Sequence, residues 1–283
     1  MFISNNREIP QLVFGETMKR FSFFTSERNR GASKTIRADQ VAEFLGARIN
    51  PVSNFDNDIC IYVKCYPPDD CPINSYFDMN DIYPFTEWII GHPKVKVIVM
   101  SKMAQEYISK VADRDDIVLL PQHHCNYLRE KREREEICTA GIVGGKRSCE
   151  FDHSKLKAML GDIGVGYIEC LHPNSREQVV DFYKEIDIQI VFRPRRTMYM
   201  TTSTSLKLAN ACSFGIPTVA FPERAFIDEF DGCFLPVNTP EEIIKEVKRL
   251  REDRALYNHL SMMGRDRAEK YHIEHIAKLY QQL

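Results

Sequence analysis

"KLANACSFGIPTVAFPE", residues Lys207 to Glu223, opens as an amphipathic helix, stops at Gly215, turns through Ile216-Pro217 and runs straight into the apolar "TVAF". A helix does not continue through such a proline, and glycine most readily takes the left-handed turn at a helix end. The stretch therefore reads as a helix feeding a buried strand. Thr204 or Ser205 can cap a helix that begins near Leu206, which aims uncapped N–H groups and a partial positive charge at whatever lies in front. Lys207 sits in that first turn, where a cation opposes the helix dipole and an anionic ligand would compensate. Asn210 follows three residues later on the same face. Ala209, Ala211 and Ser213 keep the helix slim enough to approach a sheet or a nucleotide closely. The stretch predicts a helix start that cradles a pyrophosphate beside a cleft.

The same alternation extends outward in both directions. Strands are expected at "RFSFFTS", "DICIYVKCY", "VKVIVMS", "DIVLLP", "ICTAGIVG", "VGYIEC", "DIQIVF" and "TVAF". Helices are expected at "IRADQVAEFLGA", "KMAQEYISKVA", "SKLKAMLGDIG" and "SREQVVDFYKEI". Strands alternating with helices imply βαβ units and parallel sheets. The alternation breaks in the charge-dense "HHCNYLREKREREE" and restarts on a new strand. The expected organisation is α/β, with two Rossmann-like doubly wound parallel-sheet domains, 1–133 and 134–283, facing a cleft. A helical C-terminal tail follows. There "NTPEEIIKEVKRL" carries Thr239 as N-cap, Pro240 at N1 and Glu242 at N3, a capping box. Two more helical segments come after it, broken near Tyr271.

Composition excludes several classes. The apolar and charged fractions, 43% and 28%, are those of a soluble globular protein. The formal net charge of −2 supplies no global field for nucleic acid. Apolar runs such as "VKVIVM" fall far short of the roughly 20 residues that span a bilayer. "MFISNNREIPQ" lacks the pattern of a signal peptide. The nine cysteines form no CxxC pair, so reduced thiols in a cytoplasmic protein are expected rather than a disulfide frame or a zinc site.

In open parallel sheets ligands bind beyond the carboxyl ends of the strands. That rule selects "TSERNRGASKT", where Gly31 allows close approach among Arg28, Arg30, Lys34 and Arg37. It also selects "GIVGGKR", where Gly144-Gly145 precede Lys146-Arg147, and "VFRPRR", with Arg193, Arg195 and Arg196 just after a buried strand. Bare backbone with lysine, and arginine forks, both suit phosphates.

"SLKLANACSFGIPTVAFPE" resembles the donor-site segment of GT-B glycosyltransferases, close to "SKLxEAMAxGxPVVA", through Lys207, Leu208, Ala211, Gly215, Pro217, Val219 and Ala220. "VKVIVMSKMAQEYI" and "DIVLLPQHH" resemble late segments of the N-terminal domain of such enzymes. The resemblance implies an N-terminal acceptor domain, a C-terminal donor domain, and a last helix packing back on the first domain. It implies a hexosyltransferase-like glycosyltransferase that moves a sugar from a UDP- or GDP-sugar to a sugar, lipid-linked or other acceptor, with no metal or further cofactor. Lys207, Arg193 and Lys146 would stabilise the leaving diphosphate, with Arg195 or Arg196 as substitutes. Gly31, Gly144 and Ser205 would contact the donor, Asn210 its ribose, and Glu223 its hydroxyls. Where many members carry two glutamates, this chain has Thr202 and Asn210. An inverting enzyme would take its base from Asp81, Asp78 or His92; His123 and His124 also follow a strand end and should face the cleft. The alternatives are a nucleotide-sugar epimerase, a non-catalytic nucleotide-sugar binding protein, and a glucosyltransferase acting on DNA bases.

Overall fold

The computed structural model describes residues 19–26, 31–80, 85–133, 135–145, 150–194 and 204–283. Of the candidate residues, Asp81, Lys146, Arg195 and Arg196 lie outside this set, as do Arg28, Arg30, Arg147 and Thr202. The chain divides into two compact units. The first comprises the described residues up to Met100, Ala104–Gln122 and Ile273–Leu283; the second comprises Ser101–Met103 and His123–His272.

The first unit holds a six-stranded parallel sheet of β1 (Phe21–Thr25), β2 (Arg48–Ile49), β3 (Ile59–Val63), β4 (Ser75–Asp78), β5 (Lys96–Val99) and β6 (Ile117–Leu119). Their spatial order is β2-β1-β3-β4-β5-β6. β3 is buried at every residue, as the β-branched and aromatic run "ICIYV" requires of a strand covered on both faces. β4 had no clear sequence signal. "SYFD" is four residues between a proline-rich loop and "MND", too short for a period to show. Between two short α-helical pieces, α1 (Ala32–Lys34) and α2 (Gln40–Leu45), lies a π-helical turn, Thr35–Asp39. The turn drives Arg37 inward, and the residue is 1% exposed. Its Nε donates to Asp78 Oδ2 at 2.8 Å and its Nη1 to the carbonyls of Leu120 and Pro121. Arg37 is therefore a core ion pair rather than an anion contact beside Gly31, and Asp78 is too enclosed to act as a base. The Arg37 guanidinium carbon also lies 5.9 Å from the ring centre of Tyr280, on the final helix, Ile273–Tyr280. That ring packs 5.8 Å from Phe23, and Tyr76 Oη donates to the Leu283 carbonyl. The last helix thus belongs to the first unit's core.

The second unit holds β7 (Thr139–Gly144), β8 (Gly166–Leu171), β9 (Ile188–Val191), β10 (Thr218–Ala220) and β11 (Phe234–Pro236), all parallel, in the order β11-β10-β9-β7-β8. The chain moves from β7 outward to β8 and then returns to the other side of β7 for β9. The carboxyl ends of β7 and β9 therefore form a topological switch point, where such sheets open a crevice for ligands. The unit begins at His123, earlier than the expected break at 134, because residues 124–132 are tied to it. The His124 N–H donates to Tyr271 O, Cys125 N–H to Asn210 Oδ1 and Arg132 N–H to Phe214 O. His123 and His124 are each 2% exposed, so neither faces open solvent. Burial also holds the His124 imidazole well below its ordinary pKa.

Helix Leu206–Ser213 leads into β10 as expected. Gly215 has φ +74°, and a Cβ there would sit 2.6 Å from Ser261 Oγ, so both backbone and space call for glycine. In the tail, the Thr239 side chain accepts from Glu242 N–H, while the Glu242 carboxylate reaches back to Asn238 N–H rather than to the N-cap itself. Helix Arg254–Glu269 and the last helix flank the break at Lys270–His272. The short helices Thr86–Gly91 and Arg224–Phe230 and strand β11 lacked a legible period. The eight described cysteines are free thiols. Among the described residues no helix is long and apolar enough to cross a membrane.

Candidate functional site

β7 ends at Gly144, which has φ +120°, a conformation open to glycine and few other residues. Directly before it, the Val143 carbonyl accepts a hydrogen bond from Lys207 Nζ at 2.6 Å. Lys207 therefore bridges the start of helix Leu206–Ser213 to the end of β7. Its backbone carbonyl accepts from Gln189 Nε2 on β9, and Gln189 Oε1 accepts from the buried Tyr183 hydroxyl at 2.5 Å. These bonds hold the first turn of the helix against the sheet.

Arg193 emerges just past β9. Its Nε and Nη2 donate to the two oxygens of Glu223 at 2.6 and 2.5 Å, a paired fork on a carboxylate that is 3% exposed. Glu223 lies three residues beyond β10. The carboxyl ends of β7, β9 and β10 thus bring Gly144, Lys207, Arg193 and Glu223 together at the switch point. Desolvation and, after it, the nearby Arg193 charge pull the Lys207 amine down, Glu223 offsets part of the drop, and the amine settles at about 7. At neutral pH the lysine is poised between its two protonation states.

This has a measurable sign. The amine has its ordinary value of 10.5 when exposed and about 7 when folded, so between these values the unfolded chain holds more protons. Lys207 therefore makes the ligand-free protein more stable as pH rises from about 7 toward 10, and its full penalty is present below that window. Urea midpoints of wild type and Lys207→Met, compared at pH 7 and 9, should converge as pH rises. A constant gap between them would contradict this account.

The other candidate residues have separate surroundings. Ser205 occupies the N-cap position, but its hydroxyl donates to Glu229, whose Oε2 also accepts from Tyr271 Oη at 2.7 Å. Thr204 Oγ1 accepts from Leu206 N–H at 3.4 Å. Asn210, 9% exposed, holds Cys125 through its side-chain oxygen. Gly31 lies in the first unit, before α1, where Lys34 is paired with Asp39 at 3.0 Å. His92 stacks on Trp88 at 4.0 Å and its Nδ1 contacts Trp88 O. Sequence reasoning passed over His172. It follows β8, has φ +54°, donates its N–H to Gly144 O, and places Cε1 3.6 Å from the Cβ position of Gly145. The strand-end rule that selected the other loops applies to it equally. Among the described residues no group of three or more His, Cys, Asp or Glu side chains is arranged to hold a metal ion.

Two parallel α/β units of these orders, the second followed by helices that include residues 254–280, are the fold of the GT-B glycosyltransferases. Among solved structures, the chain is similar to Anabaena HepE in complex with UDP and glucose, with TM-score 0.63 and 9% identity over 94% of this chain and 99% of that one. It is similar to a glycosyltransferase from Rickettsia africae, with TM-score 0.62 and 8% identity over 93% and 97% of the two chains. TarM gives a TM-score of 0.56 and 11% identity over 80% of this chain, which spans about half of TarM, 54% of its length. At such identities the likeness is one of fold. No family model matches the sequence, and a search of curated proteins finds no match.

Proposed function

We propose that the chain is a glycosyltransferase that moves a sugar from a nucleoside-diphosphate sugar to an acceptor hydroxyl. The observation that carries this reading is the meeting of Lys207, Arg193 and Gly144 at the β7/β9 switch point of the second unit. There the diphosphate would lie against the first turn of helix Leu206–Ser213. As the bond from the anomeric carbon to the diphosphate oxygen breaks, negative charge grows on the leaving group. A lysine, an arginine and helix N–H groups fixed in place stabilise that charge without reorganising. Lys146, Arg195 and Arg196 are assigned to the same role by their place in sequence, as Asp81 is to the base of an inverting reaction. Glu223, held by Arg193, is assigned to sugar hydroxyls, Asn210 to the donor's ribose and Ser205 to a donor contact. Gly31 is assigned to a donor contact. HepE has been solved with UDP-glucose, which supports a UDP-sugar as the first donor to test.

The test is a thermal shift with UDP, GDP and their glucose conjugates, followed by assay of sugar release. Ligand at a hundred times its Kd should stabilise the fold by about 2.7 kcal/mol. Stabilisation by one nucleoside diphosphate together with turnover is the expected result. Stabilisation with no release or transfer would leave a binding protein. No shift with any of the four would overturn the reading.

A further inference from the structure

The first unit has its own switch point. β2 and β3 flank β1 on opposite sides, so the carboxyl ends of β1 and β3 are where this sheet opens. Among the described residues, an aromatic cluster stands just past the end of β3. Lys64, just past β3, has φ +53° and donates its N–H to Asp78 O, a left-handed bend that redirects the chain across the end of β4. The next bend residue, Cys65, is held by its thiol to Phe24 O on β1. Tyr66 follows, 50% exposed, although its ring is fixed from behind. Phe77, Phe85 and Trp88 lie 5.9, 5.5 and 4.9 Å from it, centre to centre. An exposed ring oriented by three others is a preformed stacking surface, and its cost in ordering has already been met in folding. After it, Pro67-Pro68 stiffens a loop carrying Asp69 and Asp70, both exposed.

We propose that this surface is a saccharide subsite and that the acceptor is itself a carbohydrate. The proposal rests on the transferase reading above and names its acceptor class. A pyranose offers an apolar C–H face that lies on an aromatic ring and a rim of hydroxyls that donate to carboxylates. Tyr66 supplies the ring, and Asp69 and Asp70 stand three and four residues away to receive the hydroxyls. A lipid chain would need a continuous apolar area without those charges. Exposed Ile73 and Ile90 make a lipid surface the competitor to test.

Trp88 is the only tryptophan in the chain and touches Tyr66, so tryptophan emission, excited where tyrosine does not absorb, reports this surface. With UDP present, the full chain is titrated with maltose, cellobiose, N-acetylglucosamine and methyl glucosides, and separately with phosphatidylcholine vesicles. A saturable change in Trp88 emission with at least one saccharide is expected. It should weaken about tenfold or more in Tyr66→Ala and persist in Tyr66→Phe, because stacking needs the ring and not the hydroxyl. A response to vesicles alone, or to no ligand, would overturn the proposal. So would a saccharide response that Tyr66→Ala leaves intact. The thermal shift with UDP is read separately, so its loss sinks the donor reading while a silent Trp88 sinks only this one.

Discussion

Lys207→Ala is expected to lower kcat/KM for sugar transfer by about 10²- to 10³-fold, the usual loss when one preorganised donor to a developing anion is removed. The wild-type protein should also show why. Its Lys207 amine sits at about 7 without ligand, and a diphosphate placed against it favours the charged form. Donor binding above neutral pH must then take up a proton. The apparent Kd for UDP-glucose should therefore rise between pH 7 and 9, approaching about tenfold per unit. Lys207→Arg stays charged throughout, so whatever affinity it retains should be flat over the same range. Titration calorimetry in buffers of different ionisation enthalpy measures the uptake directly. Wild-type affinity that does not change with pH would detach Lys207 from the donor.

The second large effect concerns the first unit. Asp78→Ala leaves the Arg37 guanidinium in the core without its carboxylate, facing the Leu120 and Pro121 carbonyls and the Tyr280 ring. Arginine does not escape by losing its proton. Removing one partner of a buried pair costs about 3–5 kcal/mol, and denaturant midpoints of the purified variant should show it. The double replacement Arg37→Met with Asp78→Leu should recover much of the loss, since apolar side chains of similar volume often replace such pairs without cost. A single variant less than about 1 kcal/mol below wild type would show that the pair carries little of the unit's stability.

These two sites mark how far sequence reaches. Helix Leu206–Ser213 and β10 were legible because Gly215 and Pro217 punctuate a clear change of period. β3, β7 and β9 were legible as predominantly apolar runs. β4 and β11 were not, because three or four residues carry no period and their place comes from neighbours pairing on both sides or one. Lys207 was legible as a cation in the first turn of a helix, and Arg193 as one just past a buried strand. The bidentate hold of Arg193 on Glu223 was not, because thirty residues separate them and only the parallel register of β9 and β10 makes them neighbours. Arg37 misled for a related reason. By composition it joins a basic loop, but a π-helical turn rotates it into the core toward an aspartate on a strand that left no signal. His172 was missed although the rule that found the others includes it.

The most direct test is a crystal structure of the protein soaked with UDP-glucose. Diphosphate oxygens are expected within hydrogen-bonding reach of Lys207 Nζ and of the first-turn N–H groups of helix Leu206–Ser213. Nucleotide bound elsewhere, with the Lys207 amine still donating to the Val143 carbonyl and no phosphate near it, would contradict this expectation.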